Sequence, residues 1–258
     1  MNCQAIKMIE ESVGYQYDER CRREFHSLHA RVQHLFFDID ISCPYGLPYL
    51  STFHQATFAP LGERAMELFL AAGYRRNGNS LYSMSCRECA ACIPIRLHPE
   101  EFLANRNQRR TLAKNRDVTK ALLPLQPTRE DYLLCEKFLQ CRYPRENNTA
   151  IGYFRDFFVN NIVNSAELQY RVDGRLVGTA IIDIGYNWLN AVYFYFDPDE
   201  SSRSLGTFNI LSLIELCREW DIGFLYLGYF IPPVPAMSYK ANFYPHYLFI
   251  DNHWQRKG

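Results

Sequence analysis

Apolar residues recur at helical spacing over residues 60–73 (PLGERAMELFLAAG). Ala65, Leu68, Phe69 and Ala72 share one face, Pro60 stands near the start and Gly73 lies just past the end. The spacing predicts a helix. Residues 74–84 then read as two short strands around Asn77-Gly78-Asn79. A second helix is predicted over 128–142, where Thr128 with Asp131 three residues on approaches a capping box. Three strand-like runs follow at 166–172, 175–184 and 188–196, with hairpin turns at Asp173-Gly174 and Gly185–Asn187. A helix over 203–220, with Leu205, Phe208, Leu211 and Leu213 among its apolar positions, leads to strands at Phe224–Leu227 and Tyr247–Ile250. This order predicts an α+β fold with a mostly antiparallel sheet in the second half. Pro124 and Pro127 suggest a boundary near residue 125, between a Cys-containing region with a basic segment (1–125) and a second domain (126–258).

Composition narrows the class. Hydrophobic residues make up 48% of the 258 and aromatics 15%, which excludes an intrinsically disordered chain. No apolar run approaches the roughly 20 residues that span a bilayer. Nine cysteines with no secretory h-region at the N-terminus point to a reducing, cytoplasmic compartment and to no membrane partner. The net charge is zero, yet the stretch from Arg75 to Lys120 holds ten basic residues and four acids, a local surplus of +6. Such a segment can hold phosphates without making the whole protein a polyanion binder. Arg109-Arg110, close to Lys114 and Arg116, favours that reading over a merely solvated face.

Two motifs carry candidate chemistry. Cys86, Cys89 and Cys92 are spaced as thiolate zinc ligands are, and Cys43, His54 or His98 could complete a closed site; the same spacing also suits small buried thiols that only pack. Residues 196–208 (FDPDESSRSLGTF) link a strand to a helix, with Arg203 and Gly206 at the helix start, where backbone N–H groups favour anions. The run is similar to the Arg/Gln-x-x-Gly-x-Gly/Ala loop with which GNAT acyltransferases hold pyrophosphate, with Phe208 where Gly or Ala is usual.

In order along the chain, Cys43-Pro44-Tyr45, Gly73-Tyr74-Arg75-Arg76-Asn77-Gly78, Cys86-x-x-Cys89-x-Ala91-Cys92-x-Pro94-x-Arg96 and Asn107-Gln108-Arg109-Arg110 are followed by Phe196-Asp197-Pro198, Arg203-Ser204-Leu205-Gly206, Tyr226-Leu227-Gly228-Tyr229 and Met237-x-Tyr239-Lys240-Ala241-x-Phe243-x-Pro245. Over residues 37–254 the chain resembles the arginyl/leucyl-tRNA–protein transferases, particularly the bacterial aspartate/glutamate leucyltransferase branch. The resemblance implies a GNAT-like domain over 126–258 packed with the Cys-containing region. It also implies transfer of leucine or arginine from aminoacyl-tRNA to the N-terminus of proteins that begin with Asp or Glu, marking them for degradation. A structural zinc or iron–sulfur cluster at Cys43, Cys86, Cys89 and Cys92 is implied by the eukaryotic relatives, and the chemistry itself requires no cofactor. The Pro232-Pro233-Val234-Pro235 run departs from the family's usual Gly-Cys before the Met.

The reaction is attack of an α-amine on an aminoacyl ester. With an α-amino pKa of about 7.7–8.0, deprotonation at pH 7 costs only about 1 kcal/mol. Alignment, worth up to roughly 7–11 kcal/mol, should dominate, followed by donors to the tetrahedral oxyanion. Asp197 is then the candidate to hold or accept the amine proton, and Tyr239 and Lys240 are candidates for the oxyanion or the tRNA ribose and phosphate. Arg75, Arg76, Arg109 and Arg110 suit tRNA phosphates or an acidic acceptor side chain, and Arg203, Gly206 and Tyr229 complete the expected substrate and tRNA contacts. Two other classes fit the same features: an acyl-CoA-dependent N-acyltransferase, and a non-catalytic zinc-bearing RNA-binding module.

Overall fold

The computed structural model describes residues 3–145 and 147–258, with side chains from Gly14 onward. Its helices are α1 (Cys3–Val32), α2 (Glu63–Ala71), α3 (Arg106–Lys114), α4 (Arg129–Arg142), α5 (Ala150–Tyr153), α6 (Leu205–Glu219) and α7 (Pro235–Ser238). The strands are β1 (Phe37–Ser42), β2 (Leu50–Thr57), β3 (Arg75–Asn77), β4 (Ser80–Met84), β5 (Ile93–Leu97), β6 (Thr119–Pro124), β7 (Ser165–Val172), β8 (Arg175–Ile184), β9 (Trp188–Phe196), β10 (Phe224–Phe230), β11 (His246–Ile250) and β12 (His253–Lys257).

The α+β expectation holds. Strands β12-β11-β5-β10-β9-β8-β7-β6 form one sheet of eight, and β1-β2-β4-β3 form an antiparallel sheet of four. Every neighbour pair in the larger sheet is antiparallel except β9 and β10. Those two run parallel because α6 carries the chain back between them, as a crossover helix must. Strands β5 and β6, which precede residue 125, belong to this same sheet.

Strand periodicity sorts the sheet's two faces. Ala180 and Ile182 of β8 join Leu189, Leu225 and Leu227 under the apolar side of α6 (Leu205, Phe208, Leu211, Ile214). Ile181 and Tyr195 turn the other way, toward Leu134, Phe138 and Leu139 of α4 and toward Phe154 and Phe158. A third cluster ties Met66, Phe69 and Leu70 of α2 to Tyr74, Leu81, Trp188, Phe224 and Tyr226, which fixes the small sheet against the large one.

Each expected helix forms. The last begins two residues late, because Pro198–Arg203 is a separate 3-10 turn and Ser204 takes a left-handed backbone (φ 54°) before α6. The Thr128–Asp131 capping box forms with both of its reciprocal bonds. The β7–β8 turn places Asp173 and Gly174 at φ 47° and 80°, as a two-residue hairpin of the primed type requires. The strand expected at 224–227 continues to Phe230 through an irregularity at Gly228 (φ 86°).

The β9–β10 pairing covers only Trp188–Asn190 against Phe224–Tyr226. Beyond it both strands continue unpaired with each other, β9 to Phe196 and β10 to Phe230, so the sheet parts. The 3-10 turn Tyr239–Asn242 lies beside the β10 side of this opening, and Tyr239 there meets the start of α6.

Candidate active site

Adjacent residues of a strand face opposite sides, and β3 uses this to separate its two arginines. Arg76 turns into the protein. Its Nε and Nη2 donate to Asp183 Oδ2 and Oδ1 at 2.9 and 2.8 Å, and Nη1 donates to the carbonyls of Gly78, Phe157 and Phe158. Both side chains of this pair are fully buried, and Asp183 also accepts from Asn190 and Ser165. The expected role of Arg76 in substrate or tRNA contact is therefore corrected: its guanidinium is engaged in holding β3 to β8.

Arg75 turns the other way. It is also buried, but both of its Nη nitrogens lack a hydrogen-bond partner among the described residues. Burial pulls its pKa down, opposed by the nearby hydroxyls of Tyr229, Tyr82, Tyr226 and Tyr45. Lys240 approaches from the 3-10 turn, donating from Nζ to the Tyr229 carbonyl at 3.1 Å and lying 3.7 Å from Met237 Sδ. Burial first, and then the charge of Arg75, lowers its pKa from 10.5 to about 7. A Cβ on Gly228 would stand 3.2 Å from Arg75 Nη2 and 3.5 Å from Lys240 Nζ. The bare, left-handed glycine thus lets two cations close on one point, with the hydroxyls of Tyr229, Tyr82, Tyr226 and Tyr45 nearby. Tyr82 and Tyr229 wall this site, 6.3 Å apart and edge-on, with Tyr45, Met84, Cys92 and Met237 packed around them. Tyr229 meets Lys240 through its backbone carbonyl.

Tyr239 and Gly206 also meet: the tyrosine hydroxyl lies 3.6 Å from where a Gly206 Cβ would be. Burial, then Tyr143, pushes the Tyr239 pKa up to about 12. A concavity of about 350 Å³ opens beside Tyr143, lined also by Leu139, Gln140, Pro144, Arg145 and Asn148.

Asp197 does something other than expected. It accepts from Lys137 Nζ and Arg175 Nη1, each at 2.6 Å, and from the Asp199 amide at 3.1 Å as the cap of the 198–203 turn. Burial opposes its ionisation, but the hydrogen bonds from Lys137, the Asp199 amide and Arg175 outweigh it and hold the pKa below the ordinary value. A carboxylate so satisfied is a poor proton acceptor, which weighs against its expected role toward the amine proton. Arg203 is likewise engaged. Its two Nη atoms each lie 2.8 Å from an Asp117 oxygen and its Nε lies 2.8 Å from Glu200, so a phosphate there would have to compete with both carboxylates.

On α3, Arg106, Arg109, Arg110 and Lys114 are exposed, with Arg116 just beyond. The helix is pinned at both ends. Asn115 Nδ2 donates to the Arg203 carbonyl at 2.9 Å, and Gln108 Nε2 donates to the Asn242 carbonyl at 3.2 Å. The basic face therefore stands between the segment entering α6 and the turn that carries Tyr239 and Lys240.

Cys43, Cys86, Cys89 and Cys92 are free, partly buried thiols in one neighbourhood. Burial, then Cys86, Cys43 and Cys89, pushes the Cys92 thiol up to about 12. Burial raises the Cys43 thiol, and hydrogen bonds from Ser51 and from the backbone at Leu47, Tyr45 and Gly46 outweigh it and bring it below its usual value. A backbone cradle of that kind suits a thiolate ligand. Among the described residues, however, no three Cys, His, Asp or Glu side chains are arranged to hold a metal ion.

Asp183, Gly228 and Met237 were not singled out as site residues from sequence. A lone aspartate in the apolar run of β8 signals a buried cation partner, and a glycine inside a strand signals a close approach.

Comparison with known proteins matches residues 41–110 to the family described as arginine-tRNA-protein transferase, N terminus, and residues 130–250 to its C terminus. The chain belongs to the arginine-tRNA-protein transferase family; it is an aminoacyl-tRNA–protein transferase, with aminoacyl-tRNA and a protein as its substrates. Among its curated relatives, the aspartate/glutamate leucyltransferase of Saccharophagus degradans is 37% identical over 189 residues, covering 70% of this chain and 78% of that one. The one from Marinobacter nauticus is 35% identical over 200 residues, covering 76% and 84%. Among solved structures, the C-terminal DUF2156 domain from Agrobacterium fabrum aligns over 69% of this chain and 55% of that one at a TM-score of 0.44 and 15% identity. No helix among the described residues is long and apolar enough to cross a membrane.

Proposed function

We propose that the chain moves leucine from leucyl-tRNA to the N-terminal amine of proteins that begin with Asp or Glu, in the cytoplasm, as a step toward their degradation. The observation that carries this reading is the pair of cations, buried Arg75 and partly buried Lys240, that converge at Gly228 with the Arg75 Nη atoms unpartnered among the described residues. A buried guanidinium without acceptors is costly, and a carboxylate entering there would be held by charge-assisted hydrogen bonds. An Asp or Glu side chain at the acceptor's first position brings such a group and fixes its α-amine a few bonds away.

In the transfer, the amine nitrogen forms a bond to the aminoacyl carbonyl carbon, the ester C–O bond breaks, and the amine proton ends on the departing 3′-terminal ribose oxygen. The amine reacts as its neutral fraction, and the protein's contribution is alignment. The acceptor's carboxylate lies against Arg75 and Lys240, and the aminoacyl end enters where β9 and β10 part, beside Tyr239 and Tyr143. That parted parallel pair, joined by a helix that starts at Leu205-Gly206, supports a GNAT-like reading of the second half. The exposed face of α3, with Arg109 and Arg110, takes tRNA phosphates. A structural metal, if bound, would draw on Cys43, Cys86, Cys89 and Cys92, which would have to close together to ligate it; the hydrogen-bond cradle around Cys43 supports the reading, and no step of transfer passes through it.

The test is transfer of radiolabel from leucyl-tRNA and from arginyl-tRNA, side by side, to peptides that begin with Asp, Glu, Asn or Gln. Label from leucyl-tRNA on the acidic peptides is expected. Label only from arginyl-tRNA would overturn the donor assignment, and equal labelling of the amide peptides would overturn the acceptor assignment. Acyl transfer from acetyl-CoA alone would return the chain to the N-acyltransferase alternative.

A further inference from the structure

Gln108 occupies an unusual position: one buried amide closes two structures at once. Its Oε1 accepts from the Asn105 backbone N–H at 2.8 Å, and the Gln108 backbone N–H donates to Asn105 Oδ1 at 3.0 Å, completing the capping box of α3. The other end of the same amide, Nε2, donates to the Asn242 carbonyl 134 residues away in sequence. Asn242 closes the 3-10 turn that begins at Tyr239 and includes Lys240. Phe243, just after it, is buried against Phe102, 5.8 Å away, in the segment leading into α3.

We propose that Gln108 is a positioning residue that couples tRNA docked on the basic face of α3 to the placement of Lys240 and Tyr239. This rests on the reading of α3 as the tRNA face. Arg109 and Arg110 follow Gln108 directly and are exposed, whereas Gln108 itself is 4% exposed. Phosphates pulling on the outer face of α3 displace its N-terminal turn, and the Nε2–Asn242 bond carries that displacement to the turn bearing Lys240. A helix tied only by apolar contacts could slide without moving the turn. A single directional bond to a carbonyl two residues from Lys240 does not leave that freedom.

Glutamate separates the two tasks. Gln108→Glu keeps an oxygen for the Asn105 amide, since glutamate is a standard third-position partner in a capping box, and the helix N-terminus favours its ionised form. It has no N–H for Asn242. Asn105→Ala does the reverse, weakening the cap and leaving the link. The experiment measures, for both variants, Kd for leucyl-tRNA, single-turnover rate of transfer to an Asp-starting peptide with tRNA saturating, and thermal midpoint. The expected result is that Gln108→Glu slows transfer about tenfold, the scale of one lost buried hydrogen bond, with tRNA affinity unchanged. Asn105→Ala should lower the thermal midpoint and keep the rate. Full transfer rate in Gln108→Glu overturns the proposal, and so does an equal loss of rate in Asn105→Ala, which would mark a cap effect.

The docking face has its own control. In Arg109→Gln/Arg110→Gln the salt dependence of tRNA binding should flatten by about one ion per arginine. An unchanged slope there removes the tRNA face and the coupling with it. A flattened slope together with full rate in Gln108→Glu removes the coupling alone.

Discussion

Lys240 is held at a cost that can be measured. Its pKa falls from 10.5 to about 7 because the ammonium is buried and stands beside Arg75. Below pH 7 the folded and unfolded chains both carry the proton, so the folded state bears the whole penalty. Between 7 and 10.5 the folded chain gives up the proton first and the penalty shrinks; above 10.5 it is gone. At about 1.4 kcal/mol for each tenfold, the gap from 10.5 to about 7 sets an upper limit of about 5 kcal/mol. Lys240→Met removes the charge and keeps an unbranched side chain of similar reach. It loses the bond to the Tyr229 carbonyl, worth about 1 kcal/mol, and leaves that oxygen less satisfied. The expected net effect is a gain in stability of about 3 kcal/mol at pH 6.5, falling below about 1 kcal/mol by pH 9. Urea denaturation of both proteins at the two pH values reads this directly. If Lys240→Met is no more stable at pH 6.5, or if the difference does not close with pH, Lys240 is not a desolvated cation and its place in the acceptor site loses its physical basis.

The same titration shapes activity. For an Asp-starting peptide, Lys240 must be protonated to meet the carboxylate and the α-amine must be neutral, so kcat/KM should peak between about pH 7 and 8 and fall on both sides. In Lys240→Met the alkaline fall should disappear, and a wild-type profile that keeps rising to pH 9 contradicts this. Asp183→Leu strands the buried Arg76 and should cost about 3–5 kcal/mol, read as a drop in the urea midpoint. Asp197→Asn should lower stability by about 1–3 kcal/mol through its bonds to Lys137 and Arg175 while single-turnover transfer persists. A loss of transfer without a loss of stability would return Asp197 to the chemistry.

The second half of the fold was legible because its signals are local. The Asp173-Gly174 turn, the Thr128–Asp131 cap and the apolar faces of α4 and α6 each act within a few residues. Strands β5 and β6 were missed because their partners are remote: β5 pairs with β10 and β11, more than 120 residues on, and β6 carries little alternation on the sheet edge. The Asp251-Asn252 turn, with both φ positive, is a local signal too, since Asp and Asn tolerate the left-handed backbone of a tight hairpin.

The site divides in the same way. Sequence motifs named Arg75, Tyr229, Tyr239, Gly206 and Lys240, which the fold gathers around the parted strands. The same motifs named Arg76, Arg203 and Asp197, which are saturated by Asp183, by Asp117 and Glu200, and by Lys137 and Arg175. Residue type alone cannot tell an arginine with a buried partner from one without, since the partner is chosen by tertiary packing.

The central claim is that Arg75 and Lys240 read the acidic side chain of the acceptor. Its most direct test is the ratio of kcat/KM for leucyl transfer to peptides that differ only in Asp or Asn at the first position, in wild type and in Arg75→Gln. Wild type should favour Asp by about 100-fold or more, and Arg75→Gln should cut that preference by about 10-fold or more, since the charge-assisted partner is gone. A variant that labels both peptides with the full wild-type preference would show that Arg75 does not read the acceptor.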